Sequence, residues 1–200
     1  MTRIGIYGGT FSPPHNGHLA AARAFMKQMW LDLLYIIPTA LPPHKEMACP
    51  VSADHRLQMC RLAFAGMEGV YVSDMEIRRG GRSYTVDTLR ELSGAERRLF
   101  LLCGTDMLLT LDEWRAPEEI FRLCYPVYIR RERDPALDAR ILQKIAEYRT
   151  RYGRMVRRVA AEPVELSSSD IRAALREGRP VTGLLPPAVE RYISDNHLYV

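Results

Sequence analysis

The chain alternates short apolar runs with longer stretches in which apolar positions recur at helical spacing, the pattern of strands threaded between helices. Ile4, Ile6 and Tyr7 mark a first strand, and Ala20 to Met29, rich in alanine and long side chains, reads as the helix after it. Leu33 to Ile37 is a second apolar run that stops at Pro38. A helix is expected from Ser52, with Leu57, Cys60, Leu62 and Phe64 on its apolar side. Val70 to Val72 and Ile77 suggest further strand, and a short helix from near Thr85 to Leu92 is expected to end at Gly94. Leu99-Phe100-Leu101-Leu102-Cys103 is apolar at every position, as suits a central parallel strand covered on both faces. Tyr125 to Ile129 predicts another strand, Leu137 to Tyr148 a surface helix of mixed charge, and Val164 to Leu166 a strand. Two helices follow, one after Ser167 and one from Pro187 to Asn196. This alternation predicts an α/β fold, a doubly wound sheet whose ligands bind at the carboxyl ends of its strands.

Composition narrows the picture without redirecting it. At 200 residues the chain fits one domain, residues 1–200, with enough interior for a full core. Hydrophobic residues at 47% and charged residues at 26% argue against a disordered or fibrous chain. No apolar run approaches membrane-spanning length and the N-terminus enters a strand without a secretory pattern, so a cytoplasmic protein with no membrane partner is expected. Cys49, Cys60, Cys103 and Cys124 are scattered and form no C-x-x-C pair, which reads as reduced thiols. The net charge of +4 suits a site for several phosphates as well as it suits nucleic acid. The dense basic runs, Arg78-Arg79 through Arg82 and Arg130-Arg131 with Arg133, lack interleaved aromatics. They read as solvated faces, and no nucleic-acid partner is expected.

Four segments, expected together at the strand edge, carry the chemistry. Gly8-Gly9-Thr10-Phe11-Ser12-Pro13-Pro14-His15-Asn16-Gly17-His18-Leu19 lies between the first strand and the first helix. Glycines without Cβ let a triphosphate approach the backbone, a helix start offers N–H groups, and His15 and His18 add donors. The competing reading is a tight turn with surface histidines. Pro42-Pro43-His44-Lys45 presents a cation able to reach a substrate phosphate. Gly104-Thr105-Asp106 joins a glycine that permits close approach to a carboxylate able to accept from a ribose hydroxyl or organise phosphate-bound metal. The simpler role for Asp106 is a helix N-cap. In Ser167-Ser168-Ser169-Asp170-Ile171-Arg172, Ser167 and Asp170 match a capping box, which leaves Arg172 unexplained. A guanidinium one turn into a helix lined with hydroxyls makes a second anion cradle, expected opposite the first loop. His15 and His18 have no third ligand at zinc spacing, so no protein-held metal is expected.

Taken jointly, the GGTFSPPHNGHL and SSSDIR segments resemble the two nucleotide-binding signatures of adenylyltransferases in the class I aminoacyl-tRNA-synthetase-like, or HxGH nucleotidyltransferase, superfamily. Within it the bacterial nicotinate-nucleotide adenylyltransferases are most similar. Pro42-Pro43-His44-Lys45, Asp54-His55-Arg56-Leu57, Ser83-Tyr84-Thr85-Val86-Asp87-Thr88, Gly104-Thr105-Asp106 and Glu113-Trp114 occur in family order over nearly the whole chain. The resemblance implies a Rossmann-like fold that joins ATP to nicotinate mononucleotide, giving deamido-NAD and pyrophosphate, with magnesium (Mg2+) arriving on the triphosphate. It implies a catalytic group of His15, His18, Lys45 and Arg172, with His18 at the α-phosphorus and Lys45 near the mononucleotide phosphate. Gly8, Gly9, Thr10, Phe11, Gly104, Asp106, Ser167 and Ser168 are implied to bind ATP. Tyr84, Thr85, Val86, Trp114 and Arg131 fall to the nicotinate side. There Trp114 is suited to stack on the ring and the N–H groups around Tyr84 to Val86 to receive its carboxylate, although Trp114 also fits a core anchor.

Three departures qualify the match. Ser12 stands where the family usually has aspartate, Ser169 where it has threonine, and Arg131-Glu132-Arg133 where it has arginine-proline-glycine. The chemistry itself needs no nucleophilic side chain, because a phosphate monoester with a second pKa of about 6 is already dianionic near neutrality. An enzyme has to hold two anions in line and neutralise the growing charge. Adenylyl transfer to nicotinamide mononucleotide or phosphopantetheine stays open, as does a nucleotide-binding regulator without turnover. A tRNA synthetase is excluded, since the chain has no anticodon-binding extension or lysine-rich second signature. Oligomeric state is left open, a homo-oligomer included.

Overall fold

A computed structural model describes residues 1–41, 51–130, 134–161 and 166–200. In chain order the elements are β1 (Thr2–Gly9), α1 (Asn16–Gln28), β2 (Leu33–Pro38), α2 (Ala53–Phe64), β3 (Val70–Val72), α3 (Met75–Arg79), α4 (Thr85–Leu92) and β4 (Arg97–Gly104). There follow α5 (Thr105–Leu109), a 3₁₀ turn (Leu111–Glu113), α6 (Pro117–Leu123), β5 (Cys124–Ile129), α7 (Ala136–Tyr152), β6 (Arg157–Val159), α8 (Ser168–Arg176) and α9 (Pro187–Asp195). Among the described residues six strands form one sheet in the order β3-β2-β1-β4-β5-β6. The β1–β4, β4–β5 and β5–β6 pairings are parallel. The chain therefore starts mid-sheet, winds outward to β3 and returns beside β1, which is the doubly wound α/β architecture that the alternation predicts.

Burial explains why β4 takes the centre. Its six residues from Leu99 to Gly104 are all buried, with Leu99 opposite Cys124 and Cys103 opposite Tyr128. In β1, a Cβ on Gly5 would lie 2.4 Å from Leu31 Cδ1, so only glycine lets that strand meet its cover this closely. Cys60, Cys103 and Cys124 are free and buried. Burial pushes the Cys103 thiol up to about 12 and raises Cys60 and Cys124 as well. Cys49 lies outside the described residues. Among the described residues no helix is long and apolar enough to cross a membrane.

Contacts sort the chain into two compact units, each assembled from three stretches. One comprises residues 1–7, 21–35 and 84–164, and the other residues 8–20, 36–83 and 165–200. In the first, α6 packs against β5 and α7, and Ile120, Phe121 and Tyr148 are buried there. In the second, α2 packs against both α9 and β3.

Several elements depart from expectation for local reasons. Ile77 belongs to the short helix α3, where Arg78 pairs with Asp74 at 2.8 Å and Gly80 and Gly81 turn the chain at φ +70 and +66. Helix α4 ends without a left-handed glycine: Ser93 is extended and its hydroxyl donates to the Arg90 carbonyl. Strand β6 escapes a pattern reading because Val159 alone of its three residues is buried. Helices α5 and α6, only five and seven residues long, are too short to show a period. The expected strand at Val164 to Leu166 falls largely outside the described residues.

Candidate functional site

In the second unit the glycine-histidine segment is a buried loop. Residues 11–15 are all buried, and Phe11 takes φ +49 to turn its ring inward. That ring meets the His18 ring edgewise at 5.0 Å and Phe64 at 6.3 Å between centroids. Phe11 therefore packs the loop from beneath and backs His18. The start of α1 is tied down by Asn16, whose N–H donates to the Leu184 carbonyl at 3.0 Å and whose amide donates to Gly183 O at 2.8 Å.

The two imidazoles sit against each other, 3.8 Å between ring centroids, and both are buried. The His15 backbone N–H donates to His18 Nδ1 at 3.1 Å. An amide proton is never given up, so Nδ1 must be the acceptor, and in the neutral ring the proton then sits on Nε2. His18 is thereby set as a hydrogen-bond donor through Nε2. A surface turn with solvated histidines is not what the chain forms.

The SSSDIR segment is seated on this same loop. Ser167 caps α8, accepting from the Asp170 N–H at 3.1 Å as the expected capping box requires, while the Asp170 carboxylate accepts from the Ser167 hydroxyl at 2.6 Å and not from the Ser167 N–H. Ser168 Oγ donates to the Pro13 carbonyl at 2.9 Å. Arg172 Nη1 donates to the Ser12 carbonyl at 2.8 Å and Nη2 to Ser169 Oγ at 3.2 Å. The imidazole pair and the guanidinium are thus joined through residues 12–15.

Two residues that had no assigned role complete the loop. Arg56, 1% exposed, donates from Nη1 to Thr10 O at 2.9 Å and from Nη2 to Thr39 O at 2.6 Å and Ala40 O at 3.0 Å. Burial lowers its pKa from the ordinary value, and nearby Cys60 and Tyr199 push it back up. The signal was readable, since Arg56 shares the helical face of Met59, Cys60 and Ala63 at spacings of three, four and seven, a stripe otherwise apolar. The other is Tyr199, whose hydroxyl shares a 2.9 Å hydrogen bond with that of Ser12. No periodicity around Asn196-His197-Leu198-Tyr199 marks it in advance.

The remaining predicted residues lie in the first unit or outside the described residues. Gly104 precedes α5 as its N-cap, with Asp106 inside the first turn, so Asp106 is not the cap that its simpler reading required. A Cβ at Gly104 would stand 2.8 Å from Asp106 Oδ1, so glycine is what admits the carboxylate there. Tyr84 is the extended N-cap of α4, with Thr85 and the fully buried Val86 in its first turn. The Arg115 guanidinium lies 4.5 Å over the Tyr84 ring, which brings the residue after Trp114 onto that turn. Trp114 itself is half-buried, more exposed than a core anchor would be. Lys45 and Arg131 lie outside the described residues.

Comparison with known proteins bears on the family and the fold. The Cytidylyltransferase-like family model matches residues 6–174, a span that includes both the glycine-histidine and the SSSDIR segments. A protein of Citrifermentans bemidjiense named "Probable nicotinate-nucleotide adenylyltransferase" is 40% identical over 99% of this chain and 98% of its own length. One of the same name from a Thermoanaerobacter species is 36% identical over 98% of this chain and 94% of its own. Among solved structures, Plasmodium falciparum nicotinic acid mononucleotide adenylyltransferase complexed with NaAD shares the fold, with a TM-score of 0.78, 18% identity and coverage of 100% of this chain and 98% of that one.

Proposed function

Because the chain belongs to the nicotinate-nucleotide adenylyltransferase family, we propose that its glycine-histidine loop carries adenylyl transfer from ATP to nicotinate mononucleotide, yielding deamido-NAD and pyrophosphate in NAD biosynthesis. The enzyme is a nucleotidyltransferase. The observation that carries the assignment to this loop is the Arg172–Ser12 bond, which puts a guanidinium and a helix start on the segment that holds both imidazoles.

In this mechanism an oxygen of the mononucleotide phosphate attacks the α-phosphorus, and the bond from that phosphorus to the bridging oxygen of pyrophosphate breaks. The attacking dianion needs no general base, so the protein's work is alignment and charge neutralisation. His18 Nε2–H donates to an α-phosphoryl oxygen as negative charge builds there, with Phe11 and His15 holding its ring. Gly8, Gly9 and Thr10 give the backbone close access to the phosphates. Arg172, resting on the Ser12 carbonyl through Nη1, offers its remaining N–H groups to oxygens of the leaving pyrophosphate, and Ser168 turns its hydroxyl from the Pro13 carbonyl to the same oxygens, beside the start of α8 that Ser167 caps. Lys45 is assigned to the mononucleotide phosphate and Gly104 with Asp106 to the adenosine ribose. Trp114, Arg131 and the turn Tyr84, Thr85 and Val86 are assigned to the pyridine carboxylate and ring.

Magnesium fits this site as a companion of ATP. The loop offers imidazole, hydroxyl, guanidinium and carbonyl groups, whereas a resident magnesium requires carboxylate oxygens. Among the described residues no group of three or more His, Cys, Asp or Glu side chains is placed to hold a metal. Carried on the triphosphate, the ion would neutralise charge on the phosphates. We place the enzyme in the cytoplasm, acting as one nucleotidyltransferase domain on small molecules.

The deciding experiment measures pyrophosphate release from ATP and magnesium with nicotinate mononucleotide, nicotinamide mononucleotide and phosphopantetheine in parallel. Release with the acid far above the other two is expected. Equal rates with acid and amide would overturn the acceptor assignment, and tight ATP binding with no release for any acceptor would favour a regulator.

A further inference from the structure

Ser12 is held from two directions by residues 187 and 160 positions further along the chain. Its hydroxyl is bonded to Tyr199 at 2.9 Å and its carbonyl accepts from Arg172 at 2.8 Å. Ser12 and Tyr199 are each only 3% exposed, so this hydrogen bond is made between two buried hydroxyls away from water. Tyr199 reaches it from a bent backbone. His197 and Tyr199 adopt φ +49 and +67, left-handed conformations that residues with a Cβ keep only where their surroundings enforce them. Leu198 between them is buried, which anchors the bend.

Packing alone does not account for this arrangement, because a phenylalanine would fill the same space. The hydroxyl bonds Ser12, the residue whose carbonyl seats Arg172. Arg56 fixes the neighbouring Thr10 carbonyl, so the loop is pinned on both sides of Phe11.

We propose that Tyr199 is a positioning residue for adenylyl transfer: by holding Ser12 it sets the carbonyl on which the Arg172 guanidinium rests, and so aims that guanidinium at the triphosphate. The inference rests on the assignment of ATP to this loop. Tyr199 does not touch substrate in this scheme; it acts through Ser12.

The test compares Tyr199→Phe, Ser12→Ala and the double variant with the unaltered enzyme. Wild-type formation of deamido-NAD is measured first, since its absence counts against the assigned reaction and not against Tyr199. Calorimetric titration of ATP then reads the loop without relying on turnover. Tyr199→Phe is expected to weaken ATP binding and raise KM for ATP about tenfold, the equivalent of one lost buried hydrogen bond, with KM for nicotinate mononucleotide within about twofold. Ser12→Ala should match it, and the double variant should be no worse than either, because both remove the same bond. The proposal is overturned by unchanged ATP binding in Tyr199→Phe, by equal losses toward both substrates, or by single effects that multiply in the double variant. Should Tyr199→Phe not fold, Ser12→Ala carries the same comparison.

Discussion

Replacing Arg56 by methionine asks whether a buried cation holds the phosphate loop or only tolerates its place there. The guanidinium spans three carbonyls, Thr10 at 2.9 Å, Thr39 at 2.6 Å and Ala40 at 3.0 Å. Bonds from a charged donor contribute about 1.5–3 kcal/mol each, so three amount to about 5–9 kcal/mol. Against this stands the cost of taking the charge out of water, several kcal/mol in a real protein, which the methionine variant would escape. Methionine fills most of the volume but leaves three carbonyls without their donor. The balance predicts that Arg56→Met loses about 2–4 kcal/mol, which for a chain of this length lowers Tm by roughly 5–15 °C. Arg56→Lys should fall between, since an ammonium lacks the planar fork that reaches Thr10 and Thr39 together. Urea and thermal unfolding followed by circular dichroism measure the loss, and KM for ATP reports on the loop. A methionine variant as stable as wild type, or more stable, would show that desolvation outweighs the three bonds and would refute the reasoning.

Three other perturbations separate the remaining terms. His18→Ala should lower turnover by about 10²–10³ while circular dichroism shows the fold intact, and unchanged pyrophosphate release would remove His18 from the catalytic group. For Asp112, burial pushes its pKa up, but hydrogen bonds from Lys144 at 2.8 Å and Tyr148 at 2.9 Å prevail and hold the carboxyl below its ordinary value. A depressed folded pKa stabilises above the unfolded value of about 3.9 and is lost as pH falls through the folded one. Asp112→Asn should therefore be about 1–2 kcal/mol less stable at neutral pH and converge with wild type below about pH 4; a gap that ignores pH would contradict the ion pair. Finally, buried thiols with raised pKa hold little thiolate, so iodoacetamide should modify Cys60, Cys103 and Cys124 only as the protein unfolds. Peptide mapping that finds them alkylated in the native protein would contradict their burial.

The sequence by itself determined the parts whose constraints are local. A glycine pair at the end of a strand, two histidines a turn apart at a helix start and a capping serine three residues ahead of an aspartate are each specified within a few positions, and the structure joins them at one loop. An apolar run as short and continuous as Leu99 to Cys103, stopped at Gly104, suits a strand buried on both faces, which is why β4 was legible. The short helix α3 and the edge strand β6 were not, because three to five residues carry too little period to outweigh their neighbours. Tertiary structure alone decided what holds the loop rigid. Arg56 and Tyr199 meet Thr10 and Ser12 across 46 and 187 positions; the apolar stripe around Arg56 marks it as buried without saying which carbonyls it meets, and no spacing marks Tyr199 at all. The fold chooses such partners by where the chain returns, and a buried guanidinium or hydroxyl takes its function from the carbonyl or hydroxyl it finds there.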